Sequence, residues 1–279
     1  MTGENLKRRA QVVRQIRAFF EQRGFVEVET PVRIPAPAPE PHIDCPPSGT
    51  WFLRASPELQ MKKLLAAGMT RLFQIGPCFR EGESGRRHAP EFTMLEWYRA
   101  EADYETIAED MEALVREILS FDGAPFPRLT VQEAYRRWAG WDPLAAWDAD
   151  RFDFDMATKI EPALPKGPLF LFDYPAQAAS LSKLSGRDPR VAQRWELYVD
   201  GLELANAFTE LTDPAEQRAR FEAARAERRT LGEADYPLDE EFLASLARMP
   251  PAGGVALGVD RLVMLACAAS CLDDVRASC

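Results

Sequence analysis

The dipeptide Asp200-Gly201, set between strand-like runs at 194–199 and 202–211, constrains this chain more than any other feature. Asp-Gly tolerates the left-handed backbone that two-residue hairpin turns demand. A second, longer hairpin is predicted from the alternating runs 71–81 and 91–101, joined by the polar loop 82–90. Strands joined by hairpins, not through intervening helices, imply an antiparallel sheet flanked by helices, an α+β fold.

The helices read from periodicity and caps. One is predicted over 6–23, stopped by Gly24, and one over 104–119. Pro57 opens a helix to about Ala67, and Thr130 with Glu133 forms a capping box. Asp213 caps a charged helix to about Thr230, and a short helix is expected over 239–249. A strand at 253–258 feeds a last helix near Val259, and short strands are expected at 25–29 and 51–54. The proline-studded stretch 35–47 reads as a surface insertion loop, and 140–192, with a strand near 169–172, as a second insertion. No internal repeat divides the 279 residues, so a single domain is expected.

Several function classes drop out. No apolar run approaches the ~18–20 residues of a membrane-spanning helix, and the N-terminus lacks a signal-peptide core, so the cytoplasm is the expected compartment. Five cysteines, without a Cys-x-x-Cys pair, and two histidines argue against a zinc site; Cys267 and Cys271 read as buried thiols of one apolar helix. The net charge is −10, with residues 1–99 at +4 and the remainder at −14, which disfavours a general nucleic-acid binder. Phosphate-loop, dinucleotide-binding and Gly-x-Ser-x-Gly motifs are absent.

Three constellations could carry chemistry. Glu196 and Glu203 flank the hairpin turn; an unbroken ladder sets Tyr198 opposite Glu203 and Glu196 opposite Ala205, leaving the two glutamates diagonal neighbours roughly 7–8 Å apart at Cα. They suit a shared Mg²⁺ completed by phosphate oxygens, or are simply solvated. Arg80, Arg86, Arg87 and His88 surround the other hairpin's loop, as a polyphosphate site or a solvated basic loop would. Arg261, in the first turn of the last helix, opposes the helix dipole and hints at an anion there.

In this order the pieces resemble the three motifs of class II aminoacyl-tRNA synthetases. Residues 25–31 (FVEVETP) resemble motif 1; Phe79-Arg80-Glu81 followed by 87–98 (RHAPEFTMLEWY) resembles motif 2; Gly258-Val259-Asp260-Arg261 resembles motif 3. Residues 203–211 (ELANAFTEL) and 56–59 (SPEL) are similar to the lysine-specific subgroup. The core begins within ten residues of Met1, with no anticodon-binding domain ahead of it, which resembles the free-standing elongation factor P–lysine ligase family.

That resemblance implies an ATP- and Mg²⁺-dependent ligase that adenylates (R)-β-lysine or lysine and transfers it to a lysine side chain of elongation factor P. It implies no anticodon-dependent tRNA binding, no membrane and a homodimer. Arg80 and Arg261 would be catalytic. Arg80, Glu81, His88, Phe92, Glu196, Leu197, Gly258 and Arg261 would bind ATP, with Glu196 and Glu203 holding the metal. Ser56, Pro57, Glu58, Tyr98, Glu203, Asn206, Glu210 and Ala256 would surround the amino acid. Two other readings stay open: a minimal synthetase acylating tRNA or another acceptor, and a non-catalytic paralogue that binds amino acid or a partner.

The chain departs from the family pattern in ways that carry expectations. Gly82 stands where motif 2 usually has glutamate, leaving either Glu81 or Glu83 beside it for the ATP-side role, and Ala89 replaces a common Asn. Strict alternation would turn Asn206 and Glu210 away from Glu203, so a β-bulge is predicted between Glu203 and Glu210. Ala256, where lysyl-tRNA synthetases tend to have glycine, is expected to reshape the pocket against α-lysine.

Overall fold

A computed structural model describes residues 2–277. Helix α1 (Gly3–Gln22) is capped by the Thr2 side chain and buries Val12, Ile16, Phe19 and Phe20, a stripe at helical spacing. It ends as expected, with Gly24 in the left-handed region. Strand β1 (Val26–Glu27) follows. Strands β2 (Arg33–Ile34), β3 (Pro47–Ser48) and β4 (Trp51–Leu53) then form a separate three-stranded sheet.

Helix α2 (Glu58–Ala66) leads into the long hairpin of β5 (Arg71–Phe79) and β6 (Glu91–Ala100). Helix α3 (Tyr104–Leu119) matches its predicted bounds; the Asp103 carboxylate caps it, and Ile107, Met111, Leu114 and Ile118 lie on its buried face. After β7 (Arg128–Thr130), the Thr130–Glu133 capping box opens α4 (Val131–Ala134). The chain continues through α5 (Ala149–Asp155), β8 (Pro168–Pro175), β9 (Val191–Val199) and β10 (Leu202–Thr209). Helices α6 (Pro214–Leu231) and α7 (Glu240–Leu246), strand β11 (Ala252–Gly258) and α8 (Val259–Ala266) complete it.

The main sheet has eight strands in the order β1-β5-β6-β11-β10-β9-β8-β7. Its six central strands are antiparallel, as expected, but both edges are parallel: β1 on β5 and β7 on β8. Each edge strand is only two or three residues long and is joined to its parallel neighbour by a crossover that contains helix, α2 between β1 and β5 and α4 with α5 between β7 and β8, an arrangement hairpin counting misses. One face of the sheet packs against α1, α3 and α8 in the principal core. Phe19, Phe20 and Phe25 all belong to that core. The other face is left open between α2, α6 and α7 on one side and the 131–164 segment on the other.

Three expectations need correction. The 140–192 stretch is not simply an insertion, because β8 within it pairs with β9 along nearly its whole length. The proline-rich stretch is not a surface loop: Ile34, Ala36, Pro37, Pro39 and Cys45 are buried, and it lies as a strap along the open face. Its clasp is Arg228 of α6, a fully buried guanidinium that donates to the carbonyls of Glu40 (2.9 Å) and Ile43 (3.0 Å) and pairs with Asp44. Tyr236 adds a bond, its hydroxyl accepting from the Cys45 amide at 2.8 Å. Finally, α8 ends at Ala266, so Cys267 and Cys271 do not share a helix and are only half-buried. The buried thiols are Cys45 and Cys78; Cys279 lies outside the described residues.

Candidate active site

The hairpin turn has the predicted backbone, with Asp200 at φ 52° and Gly201 at φ 70°. Glu203 pairs with Tyr198, but the register then slips between Glu203 and Ala205, which pairs with Leu197. This is the predicted bulge. It also corrects the simple ladder: Glu196 faces Asn206, not Ala205. The extra residue returns Asn206 and Phe208 to the face that carries Glu203, Glu196 and Arg194. The rows continue across the sheet, Asn206–Ala256–Glu96 and Phe208–Gly254–Tyr98.

Two connected cavities open on this face. The outer cleft, about 370 Å³, is lined by Arg80, His88, Phe92, Glu196, Glu203 and Arg261 among others. The inner pocket, about 90 Å³, is walled by Ser56, Glu58, Glu96, Tyr98, Asn206 and Glu210. Glu40, Arg80, Asn206 and Ala256 line both.

The outer cleft is lined by the two motif arginines, Arg80 and Arg261. Arg261 donates to the Glu203 carbonyl at 2.7 Å and its carboxylate at 3.3 Å, and its other terminal nitrogen bonds His88 Nε2 at 2.8 Å. That bond requires an unprotonated Nε2; burial and then the Arg261 charge hold the His88 pKa below its ordinary value. Asp260 beside it is buried, pairing with Arg9 at 2.5 Å and accepting from the Thr93 amide at 2.9 Å, which fixes the start of α8 to β6 and α1. Arg80 lies over the Phe92 ring at 5.1 Å, and its buried Nε has no hydrogen-bond partner among the described residues. A buried, orphaned guanidinium N–H calls for an acceptor that the protein does not supply.

Glu196 is held on the wall of the cleft. Its Oε1 accepts from Arg194 at 2.7 Å and its Oε2 from Tyr174 (2.5 Å) and Tyr198 (2.8 Å). Burial nonetheless pushes its pKa up.

The inner pocket concentrates acid. Lys62, fully buried, pairs with Glu58 and Glu210 at 2.5 Å each, and those two carboxylates keep it charged. Glu96 accepts from Ser56 (2.6 Å) and Tyr98 (2.9 Å). Burial, followed by the neighbouring Glu58 charge, raises Glu96 to about 7. Glu210 is raised chiefly by burial, against the pull of Lys62. With Glu40 the pocket has four carboxylates on its wall, two of them paired with buried Lys62 behind it, an environment selective for a cationic ligand.

A family model described as tRNA synthetases class II (D, K and N) matches residues 1–277. The elongation factor P–(R)-β-lysine ligase of Sodalis glossinidius is 42% identical over 98% of this chain and 94% of its own length. Those of Proteus mirabilis and Vibrio cholerae are each 40% identical with the same coverage. The chain belongs to the elongation factor P–lysine ligase branch of the class II tRNA synthetases. The antiparallel sheet read from the hairpins is thus the catalytic fold of that class.

Most of the residues matched to the family's motifs converge on the two cavities, with three exceptions. Glu81 is exposed, its amide tied to the Asp44 carbonyl at 2.7 Å, whereas Glu83, past the left-handed turn at Gly82, lines the cleft and reaches Arg80 at 3.4 Å. Leu197 points to the opposite face of the sheet and is fully buried in the main core. Pro57 is buried at the head of α2 and lines neither cavity; it positions Ser56 and Glu58. Gly258 lines the cleft at the head of α8, where a Cβ would make only an ordinary 3.6 Å contact with Arg261.

Sequence reasoning also missed residues. Glu96 is two positions from Tyr98 on a strand, which places both on one face; that period was available as a signal. Arg194 stands in the same relation to Glu196. Glu40 and Ile43 reach the cavities only because the strap folds back, and no local pattern announces that.

Proposed function

We propose that this chain activates lysine or (R)-β-lysine with ATP and transfers it to a lysine side chain of elongation factor P. The observation that carries this reading is the junction at Arg80, where a cleft lined by Arg80 and Arg261 meets an acidic pocket sized for a side chain. The substrate carboxylate lies at Arg80, attacks the α-phosphorus of ATP, and displaces pyrophosphate. The acceptor amine then attacks the carbonyl of the acyl-adenylate and releases AMP. Arg80 and Arg261 neutralise phosphoryl charge, so catalysis is positioning and electrostatics. Phe92, His88 and Glu83 border the nucleotide, and both motif arginines survive, as a non-catalytic paralogue would not require.

Glu196 and Glu203 fit a divalent cation. Oε1 of Glu196 has one donor and the Glu203 carboxylate has one, so each keeps lone-pair capacity. Among the described residues no cluster of three or more His, Cys, Asp or Glu could hold a metal, so the two carboxylates depend on phosphate oxygens to complete the shell of Mg²⁺. Such an ion would offset charge on the polyphosphate.

The reaction belongs in the cytoplasm, beside the translation factor; no helix among the described residues is long and apolar enough to cross a membrane. The homodimer that the family resemblance suggests would use surface other than Phe19, Phe20 and Phe25, which the core consumes.

Intact-mass analysis of elongation factor P incubated with enzyme, ATP and each lysine isomer tests the reading. One added lysyl group is expected. No shift with either isomer, or acylated tRNA in its place, overturns it. In the same assay Ala256→Gly should narrow the isomer preference, because Ala256 sits between Asn206 and Glu96 on the pocket wall; one methyl supports about 1–3 kcal/mol of discrimination.

The pocket's protonation gives a pH prediction. An arriving ammonium favours ionised Glu96, so binding lowers its pKa and releases a proton. Affinity for the diamine should therefore rise about tenfold from pH 6 to 8, levelling above the free-pocket value of about 7. Calorimetry in buffers of differing ionisation enthalpy reads the proton directly; affinity that is flat or falls over this interval rejects the assignment.

A further inference from the structure

We propose that the turn following α8 (Leu272–Asp274) is a positioning element of the nucleotide site. The Leu272 amide tethers the tip of the β5–β6 loop, and its side chain walls the outer cleft, so ATP affinity is set partly from outside the three motifs. The inference rests on the ligase reading above for the identity of the nucleotide.

The loop tip has few anchors. Residues 84–88 are all exposed, and Gly85 and His88 bridge each other, which closes the tip on itself but ties it to nothing else. Three bonds join it to the body of the protein. The Leu272 amide donates to the Arg86 carbonyl at 2.9 Å. Arg261 donates from Nε to the Arg87 carbonyl at 3.3 Å and bonds His88 Nε2 at 2.8 Å. Arg261 is also the group that neutralises phosphoryl charge. A guanidinium that turns to a polyphosphate gives up contacts with the loop, and the backbone bond from Leu272 remains, because no other duty competes for it.

The turn itself is firmly held. Leu272 and Val275 are buried in the main core, yet Leu272 also lines the cleft that holds His88, Phe92 and Arg261. Asn5 and Arg9 lie four residues apart, on one face of α1, and brace the two ends of α8. Arg9 pairs with Asp260 at its head, and Asn5 Nδ2 donates to the Asp274 carbonyl beyond its end at 2.9 Å. The Cys271 thiol donates to the Asp274 carboxylate at 3.2 Å, which fastens the turn locally. Through Leu272 the loop tip is thus tied to α1 and the core.

Leu272→Pro removes the amide donor. The position accepts proline, because it opens the turn and Cys271 before it is extended, at φ −151° and ψ 161°. Two readouts are taken on the whole enzyme. KM for ATP and for the diamine comes from ATP–pyrophosphate exchange, and the rate of tryptic cleavage after Arg86 and Arg87 is followed by mass spectrometry against exposed Arg190. Leu272→Pro should raise the KM of ATP about fivefold, leave that of the diamine within about twofold, and speed loop cleavage about fivefold over the reference site. Leu272→Ala keeps the donor and loses the wall, so the KM of ATP should rise while loop cleavage stays near wild type. Asn5→Ala, remote from the cleft, should move both readouts in the direction of Leu272→Pro and by less; it carries the test if the proline variant does not fold.

Loop cleavage unchanged in Leu272→Pro and Asn5→Ala, or equal losses for ATP and diamine, overturns the proposal. Wild-type enzyme that exchanges pyrophosphate with neither isomer refutes the ligase reading, and the link to ATP with it. Wild-type exchange with a folded Leu272→Pro variant indifferent in its KM for ATP refutes the proposal alone.

Discussion

Replacing Arg80 with alanine should lower ATP–pyrophosphate exchange by about 10³-fold while leaving the fold intact. The guanidinium stands where the two cavities meet, and its buried Nε lacks a protein partner. Its protein contacts are a stacked position over Phe92 and a long pairing with Glu83 at 3.4 Å. Little native-state stability is therefore invested in it, whereas a carboxylate and a phosphate would both depend on it. Arg80→Lys should recover only part of the loss, because an ammonium cannot present the planar fork that bridges two oxyanions. Exchange rates beside a thermal unfolding curve check this: a large fall in unfolding temperature would make Arg80 structural, and exchange within tenfold of wild type would remove it from the chemistry.

Arg261 offers an instructive contrast. It is braced by the Glu203 carbonyl and by His88 before any ligand arrives. Its pre-set geometry costs less to organise on binding, but removing it would also strand the Glu203 carboxylate and loosen the hairpin loop. Losses on Arg261→Ala would therefore mix positioning with chemistry, and Arg80 is the cleaner probe.

What could be read from the residues was what local rules govern. The turn at Asp200-Gly201, the caps at Thr130 and Asp213, and the burial stripe of α1 each follow from a few neighbouring side chains. The bulge after Glu203 was legible for another reason: polar residues wanted on one face fell out of phase, and only an extra residue restores them. Glu96 and Arg194 were missed although their two-residue spacing was a local signal; the larger misses are non-local. The strap's burial depends on Arg228, nearly two hundred residues away, and nothing near Pro35 or Glu40 signals it. The parallel pairing of β1 depends on the long crossover through the strap and α2 that brings β5 back beside it. The choice between Glu81 and Glu83 was not legible in the sequence: the left-handed turn at Gly82 lies between them, and it is Glu83 that lines the cleft.

The second large effect should come from one methyl group. Gly254 sits on β11 between Phe208 and Tyr98, and its φ is not in the left-handed region, so its backbone imposes no need for glycine. The need is steric. A Cβ there would lie 2.3 Å from two Tyr98 ring carbons and 2.4 Å from Glu210 Oε1. Neither neighbour can yield freely, because the Tyr98 hydroxyl bonds Glu96 and the Glu210 carboxylate is paired with buried Lys62. Gly254→Ala should therefore cost about 3 kcal/mol of stability and break the acidic pocket together with its packing. Gly253→Ala is the matched comparison: its Cβ would clash on the opposite face, 2.6 Å from Ile107 and 2.8 Å from the Asp103 carbonyl, away from the pocket. Both variants should lower the denaturant midpoint, but only Gly254→Ala should lose affinity for the diamine out of proportion to its affinity for ATP. If the two variants lose both affinities alike, the pocket wall at Gly254 is packing alone, and selection of the cationic substrate must lie elsewhere.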